Sequence, residues 1–163
     1  MKKISSFTVD HDRLEPGLYV SRIDGDTVTY DLRMRRPNSG DYITPLAAHS
    51  LEHLLATYMR AGECGDRVVY VGPMGCRTGF YLLMSGGTEK NAENFTALCN
   101  ALDLILAHEG KMPGAARKEC GNYRALSLPA AKKEAARYLS VLDEYRRSGT
   151  LPTFEYEGGR SGI

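Results

Sequence analysis

Residues 17–35 read G-L-Y-V-S-R-I-D-G-D-T-V-T-Y-D-L-R-M-R, and this stretch decides the fold. Two β-rich runs, 17–23 and 27–35, flank I-D-G-D, and Asp-Gly between such runs is a hairpin signal. In the second run Val28, Tyr30, Leu32 and Met34 alternate with Thr27, Thr29, Asp31 and Arg33. A period of two sends the apolar set to one face of a sheet and Arg33 to the other, where a solvated arginine is the default. R-P-N-S-G, residues 36–40, then breaks the chain.

The pattern changes outward from this hairpin. Thr44-Pro45 reads as an N-cap followed by a first-turn proline. Leu51, Leu54, Leu55, Tyr58 and Met59 recur at helical spacing, and Gly62 can end that helix. Residues 67–71 (R-V-V-Y-V) and 78–85 (T-G-F-Y-L-L-M-S) are again β-rich, joined by G-P-M-G-C-R, which puts Cys76 on a tight glycine-flanked connection. Residues 89–108 carry Phe95, Leu98, Cys99, Leu102 and Leu106 on one helical face. A last helix, 129–147, carries Ala135, Tyr138, Leu139, Leu142 and Tyr145. Hairpin-connected strands with long helices between and after them predict an α+β fold, an antiparallel sheet packed against helices.

A chain of 163 residues fits one domain, 1–163, with 148–163 expected as a loose, Gly-rich tail. Apolar residues at 42% and charged residues at 25% match an ordinary globular protein. A net charge of +1 gives no field for nucleic acid or an anionic membrane. No run approaches the length of a transmembrane helix, and M-K-K-I-S-S lacks the apolar core of a signal peptide, so a cytoplasmic location is expected. Four cysteines without C-x-x-C argue against a zinc ribbon or a thioredoxin motif.

Residues 49–53 read H-S-L-E-H. Residues four apart share a helix face, so His49 and His53 can offer two imidazoles to one ion. Glu52, on the flank of that face, can reach a bound water or a substrate proton without being a ligand. H-x-x-E-H is a known metal-site pattern, and this composition would produce it by chance only about once in 150 chains. A third ligand must come from elsewhere, with Cys120, Cys76, Cys64, His11 and many carboxylates as candidates. Cys99 falls on an apolar stripe and reads as core, Cys64 as an incidental loop residue, and His108 as a structural helix-end residue. Cys76 and Cys120 both sit in glycine-flanked turns, and spacing leaves both open.

H-S-L-E-H, then G-P-M-G-C-R-T-G-F-Y (72–81) and E-C-G-N-Y (119–123), preceded by S-F-T-V-D-H (6–11) and Y-D-L-R-M-R-R-P-N (30–38), resemble the LuxS family of S-ribosylhomocysteine lyases. The five blocks run in the family's order. The resemblance implies a single α+β domain of LuxS, metallohydrolase-like type. It implies metal ligation by His49, His53 and Cys120, acid–base catalysis by Glu52 and Cys76, and a substrate pocket lined by Ser6, His11, Arg33 and Arg60. It implies a divalent ion, Fe(II) replaceable by Zn or Co, and no organic cofactor. It also implies a homodimer with active sites at the interface. The implied reaction splits S-ribosylhomocysteine into homocysteine and 4,5-dihydroxy-2,3-pentanedione, the autoinducer-2 precursor, which also recycles a methylation by-product. The chain departs from the family pattern at Ser50, usually threonine, and at Tyr70, where the family has an aspartate at the homocysteine end. The rival readings are an inverted-motif metallopeptidase and a structural zinc module.

Overall fold

Asp-Gly is a turn, as its sequence predicts. Strands β1 (Gly17–Asp24) and β2 (Thr27–Arg33) pair antiparallel from Asp24↔Thr27 outward, with Gly25 at φ 62°. A positive φ favours glycine, which has no Cβ to clash. The computed structural model describes residues 9–156. Strands β3 (Val68–Pro73) and β4 (Gly79–Met84) complete a four-stranded antiparallel sheet in the order β1-β2-β4-β3.

The register puts like with like. Val28, Tyr30 and Leu32 of β2 lie opposite Met84, Leu82 and Phe80 of β4, so one face of the sheet is continuously apolar. Three helices bury that face: α1 (Pro45–Ala61), α2 (Asn91–Ala107) and α3 (Leu128–Ser148). Leu51, Leu54 and Leu55 of α1, Leu98 and Leu102 of α2, and Tyr138 and Leu142 of α3 join the strand residues in one core. Gly79 lets β4 approach β2, since a Cβ there would lie 2.2 Å from the Leu32 carbonyl oxygen.

Local chemistry sets the helix ends. The Thr44 side chain accepts from the Ala47 N–H, Pro45 occupies the first turn, and the Gly62 N–H closes on Tyr58 O at 3.1 Å. Ser127 caps α3 by accepting from the Ala130 N–H, and Gly149 ends α3 in the left-handed region at φ 66°.

Three expectations need revision. Arg33 is not solvated: it is buried beside Asp31, because the sheet face opposite the helices is covered at that end. Cys64 is buried in the core rather than incidental, with the Arg67 Nη2 donating to its sulfur at 3.0 Å. Within the tail expected as loose, Phe154 and Tyr156 are buried against β1. There the Val20 N–H donates to Phe154 O at 2.7 Å, and the Tyr156 ring stacks on Tyr19.

Candidate active site and metal centre

The apolar stripe of α1 faces the core, which leaves His49, Glu52 and His53 half-buried on its flank. The two imidazoles meet edge to face with centroids 4.7 Å apart. The connection between α2 and α3, residues 108–127, returns over this flank and brings Cys120 Sγ to 3.4 Å from His49 Nε2. The ligand atoms of His49, His53 and Cys120 all lie within 4.8 Å of one another. Cys120, not Cys76, is the cysteine that joins the two histidines.

The surroundings prepare these groups as donors. His49 Nδ1 lies 2.8 Å from Ala125 O, and His53 Nδ1 lies 2.7 Å from Pro113 O. A carbonyl only accepts, so each Nδ1 carries the proton and each Nε2 keeps its lone pair. Backbone carbonyls in this outer position commonly orient metal-binding imidazoles. The Asn122 N–H donates to Cys120 Sγ at 3.3 Å, which orients the sulfur beside His49. Two imidazoles and one thiolate fit a divalent ion with a coordination position left for substrate. Gly114 permits the close loop: its φ is +69°, and a Cβ there would stand 2.7 Å from His53 Nδ1. Ser50, fully buried between the two histidines, donates to Leu46 O at 2.6 Å and accepts from the Ser127 N–H at 2.8 Å. One hydroxyl thereby ties α1 to the start of α3. Glu52 makes no hydrogen bond or ion pair among the described residues.

A second group of candidates gathers around the β3–β4 turn. The Arg77 N–H donates to Met74 O at 2.9 Å, Arg77 adopts φ 60°, and Cys76 is left exposed at the tip. A cavity of about 190 Å³ lies there, bordered by His11, Tyr42, Cys76, Arg77 and Thr78. None of the three metal donors borders it. Behind the turn, Arg33 grips Asp31 with two nitrogens, at 3.1 and 2.5 Å, and its Nη1 donates to Thr78 Oγ1 at 2.6 Å. The Tyr156 hydroxyl donates to Asp31 Oδ2 at 3.0 Å. Burial pushes the Asp31 carboxyl above the usual carboxylate range, against the pull of Arg33 and the hydrogen bonds from Arg33 and Tyr156.

The remaining candidates are dispersed. Ser6 lies outside the described residues. Arg60, at the end of α1, donates from Nη1 to Val68 O at 2.9 Å and from Nη2 to Val69 O at 3.3 Å, clasping the start of β3. Tyr70 is half-exposed on β3, with its ring lying across Gly72. Sequence reasoning passed over Asp31, Thr78 and Tyr156. Asp31 and Arg33 stand two apart on one strand face, a signal for an ion pair; Tyr156 carried none.

A helix-borne histidine pair closed by a loop cysteine, set on an antiparallel α+β frame, defines a class of protein with three donors able to hold one metal ion. The sequence model of the family described as S-Ribosylhomocysteinase (LuxS) matches residues 4–148, and the chain belongs to that family. It is 46% identical over 162 residues to an S-ribosylhomocysteine lyase of Phocaeicola vulgatus, covering 95% of this chain and 100% of that one. It is 46% identical over 146 residues to an S-ribosylhomocysteine lyase of Clostridium beijerinckii, covering 86% and 91%. One from Borreliella afzelii is 42% identical over 151 residues, covering 90% and 96%.

Proposed function

We propose that the protein cleaves S-ribosylhomocysteine to homocysteine and 4,5-dihydroxy-2,3-pentanedione. The observation that carries this reading is the His49, His53 and Cys120 cluster with Glu52 on the same helix turn. The ion is assigned as ferrous iron, with zinc or cobalt able to replace it, since a His₂Cys set accepts several divalent metals. When bound, it supplies Lewis acidity to carbonyl and hydroxyl oxygens of the sugar.

The residues then have to move protons. The substrate sulfur sits on a carbon with no carbonyl beside it, so its C–S bond is not activated. Glu52, on the flank of the two histidines, takes the proton from the hydroxyl-bearing carbon next to the carbonyl and delivers it to the former carbonyl carbon, while the hydroxyl proton passes to the former carbonyl oxygen, so the carbonyl moves one position down the chain. Cys76 carries the proton at the next carbon in the same way. Once the carbonyl has moved far enough, the hydrogen between it and the sulfur-bearing carbon is acidic. Removal of that proton breaks the C–S bond; sulfur leaves with the electron pair and takes up a proton as homocysteine, and the enol left behind takes a proton at its terminal carbon and loses its hydroxyl proton to give the pentanedione. Ser6, His11, Arg33 and Arg60 are assigned to the substrate pocket, and Tyr70 presents a phenol where the family aspartate stands.

The protein is proposed to act as a homodimer in the cytoplasm. The cavity at Cys76 and the three-donor cluster have no bordering residue in common. A two-fold axis that apposes the Cys76 turn of one protomer to the His49–His53 flank of its partner would join them. Tyr42, at that cavity, and Leu46, at the start of α1, are exposed apolar side chains suited to such a contact.

The test is free-thiol release from S-ribosylhomocysteine by iron-loaded protein, beside Glu52→Gln and Cys76→Ala. Turnover in the wild type and its loss in both variants is the expected result. Peptide cleavage without thiol release would replace the lyase with a metallopeptidase. Unfolding on chelation, with both variants inert in effect, would replace it with a structural zinc module.

A further inference from the structure

The sulfur of Cys76 lies 3.0 Å from Thr78 Oγ1, and either atom of such a pair can donate in isolation. Arg33 resolves the direction. Its guanidinium has only donors, and Nη1 sits 2.6 Å from the same oxygen. Thr78 Oγ1 therefore accepts from Arg33, and its own hydrogen is free for another acceptor. The Cys76 sulfur is the acceptor in reach. We propose that Thr78 is a positioning residue for the reaction, its hydroxyl polarised by Arg33 and donating to the Cys76 sulfur, so that the sulfur faces the cavity as an anion. The inference rests on the reading of Cys76 as a proton-transfer group.

Three further observations support the arrangement. Thr78 is 2% exposed even though it borders the cavity, so little of it is open to water. Its carbonyl accepts from the N–H groups of both Met34 and Arg35 at 2.9 Å, which fixes the hydroxyl against the end of β2. Arg33 is itself held on Asp31 by two contacts, and the Tyr156 hydroxyl donates to Oδ2, one of the two oxygens Arg33 holds. A hydrogen bond donated to the charged form of a group favours that form. A donor that is already hydrogen-bonded to a cation is polarised and strengthened. The relay therefore runs Asp31, Arg33, Thr78, Cys76, with a buried charge pair acting on an exposed sulfur through one hydroxyl.

Other charged or titratable groups also face this sulfur. His11, Tyr42 and Arg77 border the same cavity, Arg33 stands behind it on β2 with Asp31, and Tyr81 approaches from β4. A pH effect on Cys76 therefore has to be assigned by substitution at Thr78 itself. Thr78→Val keeps the shape and removes the donor, while Thr78→Ser keeps the donor and removes a methyl group.

The experiment follows the rate of Cys76 carboxamidomethylation in the iron-loaded protein against pH, by peptide mass spectrometry, and thiol release from S-ribosylhomocysteine in the same samples. In Thr78→Val the alkylation profile is expected to move up by about one pH unit, roughly tenfold in rate near neutrality. kcat falls by a similar factor with little change in KM, and Thr78→Ser restores both. The alkylation profile is also read on Thr78→Ala, so the outcome does not hang on one variant folding. A Thr78→Val or Thr78→Ala profile that overlays the wild type overturns the proposal. So does a folded Thr78→Ser variant as impaired as Thr78→Val. Wild-type turnover in Cys76→Ala would instead remove Cys76 from catalysis, and the alkylation profiles alone would then decide the hydrogen bond.

Discussion

At Gly114 the loop between α2 and α3 passes His53 so closely that a methyl group has no room, and the backbone there has φ +69°. Gly114→Ala forces the Pro113 carbonyl away from His53 Nδ1, the contact that fixes the ring. Metal affinity is expected to fall about 10- to 100-fold, the usual cost of losing such support. Competition with a colorimetric chelator measures it, and unchanged affinity would mean the ring is held by something other than Pro113. Cys99 supplies a contrasting case. Burial pushes its thiol up to about 11, so the fold favours the neutral form. That contribution to stability is fully present below the unfolded thiol's value, about 8.5, and is lost as the pH rises through about 11. The melting temperature is expected to fall across this alkaline window, more steeply in the wild type than in Cys99→Ala. Near pH 8, iodoacetamide should label exposed Cys76 and leave Cys99 intact. The sequence already distinguished these two cysteines, because one sits on an apolar helical stripe and the other between glycines. Spacing alone did not distinguish Cys76 from Cys120 as the third donor, and only the family resemblance pointed to Cys120, since which of two glycine-flanked turns folds over α1 is a long-range property.

Between elements, the buried pair of Arg35, just beyond β2, and Glu134 of α3 links the sheet to the last helix. Arg35 is almost fully buried and has Asp41 as a second, exposed partner at 3.3 Å. Glu134→Gln leaves the buried guanidinium with Asp41 as its one carboxylate, beside the Met34 carbonyl that accepts from Nη1. Breaking a buried pair by removing one member typically costs 3–5 kcal/mol. With Asp41 still present, about 3 kcal/mol is expected, read as a shift in the midpoint of denaturant unfolding at unchanged slope. A shift below about 1 kcal/mol would show that Asp41 alone satisfies Arg35. All four strands and three helices could be read from period, caps and Asp-Gly, because those signals are local. The inward-facing charges Asp31, Arg33 and Arg35 could not. Alternation placed Arg33 opposite the apolar set correctly, but it could not foresee that Tyr156 returns to that face, stacking on Tyr19 and donating to Asp31. A contact between residues 125 positions apart leaves no local signal in the sequence.

For the whole molecule, the two halves of the proposed site share no bordering residue in one protomer, and the homodimer reading makes a quantitative prediction. Glu52→Gln disables the metal-side half and Cys76→Ala disables the turn-side half. If each active site takes one half from each protomer of a two-fold dimer, a mixed dimer has one site with both defects and one site with neither. Equal amounts of the two inactive variants, allowed to exchange subunits, give mixed dimers as half of the population. Half of the sites in those dimers are intact. Thiol release should therefore recover to roughly a quarter of the wild-type rate. If both halves came from the same chain, every site would keep one defect and the mixture would stay inactive. Exchange is checked separately by native mass spectrometry of differently tagged variants, so a silent mixture with proven exchange rules out shared sites. The same design reaches the relay behind the turn. Thr78→Val mixed with Glu52→Gln should recover close to a quarter of the wild-type rate, because the repaired site draws Thr78 and Cys76 from the Glu52→Gln chain and Glu52 from the other. Thr78→Val mixed with Cys76→Ala should not recover at all, because both defects lie on the same half of the site and no pairing of subunits can separate them.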